Sequence, residues 1–230
     1  MKVFAISDLH LSINNPKPMD IFGEVWDNYL AHIEQSWREN VQNDDVVLIA
    51  GDISWAMKLD EVVPDIKYLS GLGGTKIFIK GNHDYWWSSV SALRAILPPG
   101  MYALQNDAVK IENAVFCGSR GWIPRDECET DADRKIYDRE LIRMRLSLES
   151  AGKLKEEGDK LIALIHYPPF GCRLDDSPMT RLFEEYGVDS VVYGHLHGKS
   201  VRAVDRVNKN GVEYFLTSCD LIGNKLVRIL

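Results

Sequence analysis

The sequence predicts an α/β fold with parallel strands at its centre, and two observations support this prediction. Short apolar runs recur along the chain, and segments with helical periodicity lie between them. Alternating strands and helices are typical of parallel α/β structure, and continuous apolar runs are typical of strands that are buried on both faces. The predicted strands cover residues 2–6, 45–50, 76–80, 114–118, 161–165 and 190–193.

The intervals between the strands favour amphipathic helices. Apolar residues three or four positions apart predict helices over residues 22–37 and 137–148, and a third helix is expected over 59–72. From residue 200 onward, Gly and Asn turns separate further strand-like segments. The 230 residues show no repeat and no low-complexity linker, so we expect one domain over residues 1–230.

Composition excludes several classes of function. A formal net charge of −7 disfavours a broad nucleic-acid surface, because such binding depends on Lys and Arg. The apolar run at residues 3–6 is too short for a signal peptide or a membrane span, so the expected location is the cytoplasm. The four cysteines are scattered, which indicates neither a zinc knuckle nor a disulfide scaffold. A small phosphorylated substrate remains compatible with this charge, since bound metal ions can make a cleft positive. The oligomeric state is left open.

Polar residues of metal-ligand type follow the predicted strands. Ligands of open α/β sheets bind beyond the carboxyl ends of the strands, so we expect these residues to converge on one cleft. Five of the six histidines lie there, and only His32, inside a predicted helix, does not. A single histidine would more often be an ordinary hydrogen-bonded residue, but convergence favours a metal site. Seven side chains are candidate metal ligands: Asp8, His10, Asp52, Asn82, His166, His195 and His197.

Spacing and ligand type indicate two ions. Residues i and i+2 of an extended segment point to one side, so Asp8 and His10 can bind one ion together. Mixed nitrogen and oxygen ligands suit Mn, Fe, Zn or Ni better than Ca or Mg, and we expect Mn to support activity. Seven ligands suffice for two ions about 3.5–4 Å apart with a bridging carboxylate, and Asp52 is the natural bridge.

The order of the motifs resembles that of the calcineurin-like metallophosphoesterase family. D-x-H, G-D, G-N-H-D, a lone H after a strand and G-H-x-H follow one another between Asp8 and His197. The resemblance implies a four-layer α/β/β/α sandwich of two mixed sheets flanked by helices. It implies one ion on Asp8, His10 and His197, a second ion on Asn82, His166 and His195, and Asp52 as the bridge. It also implies that His83 is a catalytic histidine that binds no metal.

The expected function is hydrolysis of a phosphomonoester or phosphodiester by a hydroxide that bridges the two metals. Two divalent ions, two carboxylates and one hydroxide leave a net charge of about +1, which suits a phosphoryl group. Two alternatives are a non-catalytic interaction scaffold on the same fold and a nuclease. The nuclease alternative is weakened because related nucleases usually carry basic surface and further domains.

The chain differs from the Ser/Thr protein phosphatases of this family. Those enzymes carry G-D-x-x-D-R-G, whereas residues 51–57 lack the second Asp and the Arg. This disfavours a protein phosphatase and leaves the partner of His83 unassigned, with Asp84 a candidate by adjacency. Arg120 is a weak candidate for holding the substrate phosphate, and a surface salt bridge is the alternative.

Two further features lie near the motifs. Aromatic residues crowd the same loops, where they form either a platform for a base or acyl group or ordinary packing. The charged segment 125–158 is interpreted as a helical cover over the cleft that selects the substrate, or alternatively as a helix that flanks the sheet. The aromatic residues are Trp55, Tyr85, Trp86, Trp87, Trp122, Tyr167 and Phe170.

Overall fold

The computed structural model describes residues 1–198 and 204–230, and two mixed β-sheets lie at its centre. The first sheet has five strands in the order β11-β1-β2-β3-β4. Strands β1 to β4 pair in parallel, and β11 runs antiparallel to β1. Its strands are β1 Val3–Ile6, β2 Val46–Ile49, β3 Thr75–Phe78, β4 Met101–Ala103 and β11 Val227–Arg228.

The second sheet has six strands in the order β5-β6-β7-β8-β10-β9. Its four inner strands are parallel to one another, and the two outer strands β5 and β9 are antiparallel to the inner strands that they pair with. Its strands are β5 Ala108–Ile111, β6 Ala114–Ser119, β7 Lys160–Ile165, β8 Ser190–Tyr193, β9 Arg206–Lys209 and β10 Val212–Leu216.

The two sheets pack face to face, and helices cover their outer faces. A buried cluster between the sheets joins Leu48 and Ile77 of the first sheet to Phe116 and Leu164 of the second. The first three helices pack on the first sheet and the last two on the second. This confirms the predicted four-layer α/β/β/α sandwich. The helices are α1 Tyr29–Asn40, α2 Val63–Ser70, α3 Val90–Ile96, α4 Asp131–Leu154 and α5 Pro178–Glu185.

The alternation of side chains along each strand explains the apolar runs. In β1, Val3 and Ala5 face the second sheet, whereas Phe4 and Ile6 face the cluster under the first helices. Successive residues of a strand point to opposite faces, so a strand buried on both sides is apolar at every position. Each large apolar side chain buried in this way contributes roughly 1.5–3 kcal/mol.

Two of the helices begin later than the sequence predicts. The helix expected over 22–37 begins only at Tyr29, because Asp27 is extended and Asn28 has a φ of +51°; two short 3-10 turns, separated by Gly23, precede it. The helix expected over 59–72 spans Val63–Ser70, with Pro64 in its first turn. Strands β4 and β5 and helices α3 and α5 were not predicted. Of the strand-like stretch from residue 200, residues 200–203 lie outside the described residues, and β9 to β11 confirm the remainder.

Helix α4 forms most of the segment 125–158. A capping box between Thr130 and Asp133 begins the helix, and Met144, Leu148 and Ala151 bury its inner face against the second sheet. The helix therefore flanks the second sheet, as the alternative interpretation of this segment expected. That the segment 125–158 also covers the cleft stays a prediction. Among the described helices, none has both the length and the apolar character that crossing a membrane requires.

Candidate metal centre

The carboxyl ends of both sheets bring the predicted ligands to one edge of the sandwich. Asp8 and His10 follow β1, Asp52 follows β2, and Asn82 follows β3, all in the first sheet. His166 follows β7, and the motif of residues 194–197 follows β8, in the second sheet. The loops are joined directly: the backbone N–H of Asp8 donates to Gly51 O at 3.0 Å, and that of Gly194 donates to His166 O at 3.1 Å.

Four of the predicted ligands occupy the left-handed region of backbone conformation. Their φ angles are +60° at Asp8, +46° at His10, +51° at Asp52 and +70° at His195. This region costs a residue other than glycine about 1–3 kcal/mol and is concentrated at functional sites. The surrounding packing therefore holds these loops in strained conformations that point the ligand side chains into the cleft.

One group of potential ligands consists of Asp8, His10 and His197. Their ligand atoms lie within 4.8 Å of one another, and His197 Nε2 is 3.3 Å from Asp8 Oδ1. The buried Nδ1 atom of His10 has no hydrogen-bond partner among the described residues. Because buried polar atoms are almost always paired, this nitrogen indicates a missing partner, and the group fits a metal ion.

A second group lies beside the first and shares Asp8. The ligand atoms of Asp8, Asp52 and His166 also lie within 4.8 Å of one another. The Oδ1 atom of Asn82 lies 2.7 Å from His166 Nε2 and 2.9 Å from His195 Nδ1. Two imidazole nitrogens thus lie within hydrogen-bond distance of one amide oxygen, so the three side chains are close enough together to bind one ion. The structure therefore brings all seven predicted ligands together.

Outer hydrogen bonds orient these ligands, and one of them involves a residue that the sequence reasoning missed. His166 Nδ1 lies 2.9 Å from the backbone oxygen of Ala50, and His197 Nδ1 lies 2.8 Å from Asp220 Oδ1. Such contacts set the ring orientation and the basicity of histidine ligands. Asp220 follows β10, so the rule that selected the other strand-end residues also points to it.

The side chains of the candidate metal centre show a deficit of positive charge. Burial, together with the nearby charges of Asp8 and Asp84, raises the pKa of Asp52 to about 9. Burial lowers the pKa of His10 to about 3 and that of His166 to about 4, so these imidazoles are neutral and able to ligate. Burial also opposes charge on His197, but hydrogen bonds to Asp220 and Asp8 outweigh it and raise the pKa to about 10. The carboxylates gathered at this site thus favour added positive charge, which bound cations would supply.

His83 lies beside the ligands without joining either group. Its ring is 4.8 Å from that of Trp55 and 5.7 Å from that of His10, measured between centroids. Its backbone N–H donates to Asp52 Oδ1 at 2.8 Å. The side chain lines a cavity of about 280 Å³ together with His10, His197 and aromatic residues. Burial lowers the pKa of His83.

Asp84, the candidate partner of His83, forms its hydrogen bonds with other residues. Its two carboxylate oxygens accept hydrogen bonds from the backbone N–H groups of Gly81, Ile53 and Ser54 and from the indole of Trp86, at 2.8–3.1 Å. These donors come from the two motif loops that follow β2 and β3. Asp84 therefore holds the two loops together and does not orient the His83 ring.

Two motif glycines are required by close approach to the carboxylates. A Cβ atom on Gly81 would collide with the side chain and the backbone nitrogen of Asp52. A Cβ atom on Gly194 would collide with Asp8 Oδ2 and Ser7 Oγ. The glycines of the G-N-H-D and G-H-x-H motifs thus leave space for the carboxylates that face the candidate metal centre.

The aromatic residues divide between the core and the site. Trp86, Trp87 and Phe170 are buried in the hydrophobic clusters. Trp55 stacks on His10 with centroids 4.7 Å apart, and the Tyr167 ring lies 4.1 Å from that of His195. The cavity beside His83 is also lined by Phe22 and Trp26, which sequence reasoning assigned only to a helix.

Arg120 lies beside a buried carboxylate. Its guanidinium is 3.6 Å from Glu140, which is buried, and it lies over the ring of Trp122 at 4.8 Å. It does not line the cavity that contains His83. The ion pair is therefore partly buried, unlike the surface salt bridge that the sequence offered as the alternative.

Comparisons with solved structures agree with this architecture. A phosphopantetheinyl hydrolase (PptH) from Mycobacterium tuberculosis is 15% identical with a TM-score of 0.58, covering 100% of this chain and 95% of that one. TT1561 from Thermus thermophilus is 12% identical with a TM-score of 0.59, covering 99% and 97%. A protein of unknown function, AQ665 from Aquifex aeolicus, is 14% identical with a TM-score of 0.50, covering 99% and 95%. At these identities the similarity shows the fold.

Sequence comparisons provide the family. No curated protein matches the chain. The family model for calcineurin-like phosphoesterases matches residues 1–199, which include every motif that converges on the candidate metal centre. The chain therefore belongs to the calcineurin-like phosphoesterase family.

Proposed function

We propose that this protein is a metal-dependent phosphohydrolase that cleaves a phosphomonoester or phosphodiester with two divalent ions. The observation that carries the proposal is the pair of carboxylate and imidazole groups that share Asp8. Two adjacent groups with one shared carboxylate are what a two-ion site requires. The family, whose members are phosphoesterases, supports the same reaction class.

The proposed ligand assignment keeps the first group and combines His166 of the second with its neighbours Asn82 and His195. Asp8, His10 and His197 would hold one ion, and Asn82, His166 and His195 the other. Asp52 is the proposed bridge, and the position of Asp8 in both groups supports the close approach of the two ions. Nitrogen and oxygen ligands favour Mn, Fe, Zn or Ni, with Mn proposed for activity. When bound, such ions act as Lewis acids that activate water and polarise phosphoryl oxygens.

His83 is the proposed catalytic residue. It contacts the same cavity as His10 and His197, and it lies outside both groups of ligands. In its protonated form, an imidazole in this position can donate a proton to the leaving oxygen or stabilise charge on the phosphoryl group. The hydrogen bond from its backbone N–H to Asp52 fixes the position of His83 relative to the proposed bridge.

Space beside the ligands supports an organic ester rather than a bare phosphate. A cleft of about 500 Å³ adjoins His195, and its lining includes Tyr167, Phe170, Leu174 and Leu196. Its volume lies within the range of roughly 300–1,000 Å³ that is typical of small-molecule sites. We propose that it receives an extended, partly apolar alcohol portion, and a phosphopantetheinyl ester is one member of that class.

The test is an activity screen on protein with a measured metal content. Chromogenic phosphomonoesters and phosphodiesters, nucleotides, cyclic nucleotides, sugar phosphates and phosphopantetheinyl esters would be assayed with added Mn²⁺ and after chelation. We expect about two ions per chain and turnover that chelation removes. Full metal occupancy with no turnover of any substrate would support the scaffold alternative, and one ion per chain in an active enzyme would contradict the two-ion proposal.

A further inference from the structure

A second polar pocket, which we call the basic pocket, lies next to the candidate metal centre. It has a volume of about 190 Å³, and its lining includes Lys80, Ser119, Arg120, Glu140 and Arg143. Lys80 directly precedes the G-N-H-D motif, and the backbone oxygen of Arg120 accepts the N–H of His166 at 3.0 Å. The proposed metal ligands are not among its lining residues.

The charges that line the basic pocket are unbalanced. The lining contains three cationic side chains, those of Lys80, Arg120 and Arg143, and one carboxylate, that of Glu140. Glu140 Oε1 lies 2.5 Å from Arg143 and 3.6 Å from Arg120, while its Oε2 accepts the N–H of Gly121 at 3.2 Å. Lys80 donates to a neutral backbone oxygen, that of Trp87, at 2.7 Å. The lining therefore carries a positive excess that an anion would compensate.

Polar atoms without partners are concentrated in the same pocket. Ser119 is only 5% exposed, and its Oγ has no hydrogen-bond partner among the described residues. The buried Arg120 Nε and Asn106 Oδ1 atoms also lack one, and Asn106 lines the pocket as well. Since buried polar atoms are normally paired, three unpaired atoms at one place indicate a polar ligand. The Asn106 amide can present either an acceptor or, after a flip, a donor.

We propose that the basic pocket binds a phosphate group. A guanidinium fork, an ammonium and a hydroxyl are the donors that hold phosphate in proteins. The volume is smaller than the roughly 300–1,000 Å³ of drug-sized sites, so the pocket takes a compact group rather than a whole organic ligand. The phosphate is either a second phosphate of the substrate, remote from the cleaved ester, or free inorganic phosphate. The first source rests on the proposed function, whereas the second does not.

Binding is tested first with inorganic phosphate on the metal-loaded protein by isothermal titration calorimetry. We expect two binding events, one at the metal centre and one at the basic pocket. Ser119→Ala removes a hydroxyl that has no partner in the described fold, so it should leave the thermal stability unchanged. It should weaken phosphate binding at the basic pocket about tenfold, which is the scale of one charge-assisted hydrogen bond. Arg143→Gln should weaken it as much or more. Arg139→Gln, an exposed position on the same helix, is the matched control and should change neither event.

Kinetics then separate the two sources. Adenosine 3′,5′-bisphosphate and adenosine 5′-monophosphate would be compared as substrates of the same variants. A rise in KM of about tenfold for the bisphosphate alone assigns the pocket to a second substrate phosphate. An unchanged KM together with loss of the second binding event assigns it to free phosphate.

Two results would overturn the proposal. One is a single phosphate-binding event that both pocket substitutions leave unchanged, and the other is a second event that survives both pocket substitutions. The same results would be expected if water alone filled the pocket. Absence of turnover with any ester, with the second binding event intact, would contradict the proposed function and leave the phosphate pocket standing.

Discussion

His197 Nδ1 lies 2.8 Å from Asp220 Oδ1, and this contact directs the Nε2 atom of the same ring toward Asp8, 3.3 Å away. Asp220 also accepts the backbone N–H of Gly198 at 3.0 Å, which holds the G-H-x-H loop against the end of β10. Asp220 thus orients a proposed ligand from outside the ligand set. The same role is filled for His166 by the backbone oxygen of Ala50.

Asp220→Asn is expected to weaken metal binding by about 10–100-fold, the usual effect of losing such an outer hydrogen bond to a ligand. Metal titration of the chelated protein measures this. Activity should return at saturating Mn²⁺, because the ligands themselves remain. Asp175→Asn, at an exposed position, is the charge-matched control. Unaltered metal affinity in the Asp220 variant would show that His197 does not need this partner.

Asp52→Asn is expected to abolish activity and to lower the occupancy of both ions, because the proposed bridge contributes to each. Metal analysis and turnover would be measured on the same samples, beside Asp44→Asn, an exposed site on the loop before β2. Loss of a single ion would contradict the bridging role of Asp52. If Asp8→Asn lost both ions and Asp52→Asn did not, the bridging residue would be Asp8, which belongs to both ligand groups.

His83→Asn is expected to reduce turnover by about 10²–10⁴-fold, the range for a proton donor, with full metal occupancy. The reason is that His83 lies in the same cavity as the ligands without belonging to either group. His32→Asn, exposed on α1, provides the control for the same chemical change and should behave like the parent protein. Metal loss in the His83 variant would refute its assignment as a residue that binds no metal.

Gly194→Ala is expected to lower metal affinity and activity, since the added methyl group meets the Asp8 carboxylate and displaces it. Gly152→Ala is the matched control, because Gly152 lies in α4 with open space around its position. That control should raise stability by roughly 0.5–1 kcal/mol through helix propensity. Metal titration and chemical denaturation of both variants would test this pair. Equal metal affinity in the two variants would contradict the steric explanation.

Lys76 is expected to produce a pH dependence of stability. It is 3% exposed in β3, and burial lowers its pKa to about 8 from the ordinary value of 10.5. Between these values the unfolded chain binds the proton more tightly than the folded protein, so stability rises with pH across this window. Below pH 8 both states are protonated, and the folded state carries the full cost of the buried charge.

Lys76→Met should remove this dependence. Denaturant unfolding from about pH 7 to about pH 10.5, a range that spans both pKa values, would give the difference in the free energy of unfolding between the parent protein and the variant. We expect that difference to shift in favour of the parent protein as the pH rises above about 8. Lys67→Met, exposed on α2, should show no such trend. A flat difference for Lys76 as well would mean that the ammonium finds more compensation than the carbonyl of Leu72 provides.

Much of the candidate site was predictable because its residues follow strands. The apolar run of β1 ends at Ile6, so Asp8 and His10 had to lie at the edge of a sheet, and the same reasoning applied to Asn82 after β3. Short elements were missed where local patterns are weak, as in the three-residue strand β4. The helix predicted from residue 22 begins late because helical spacing continues through Asp27 and Asn28, whose extended and left-handed backbone conformations interrupt it.

By itself, the sequence determined the alternation of strands and helices and the set of candidate strand-end ligands, since these depend on local periodicity. The order of its short motifs carried the resemblance to one family, and that resemblance implied the sandwich. Only the tertiary structure decided which side chains contact and orient one another. Asp84 clamps two loops instead of orienting His83, Asp220 supports His197, and Arg120 shares a pocket with cations from two other elements. These relationships join residues that are distant in sequence and close only through the pairing and packing of the two sheets, which no local pattern encodes.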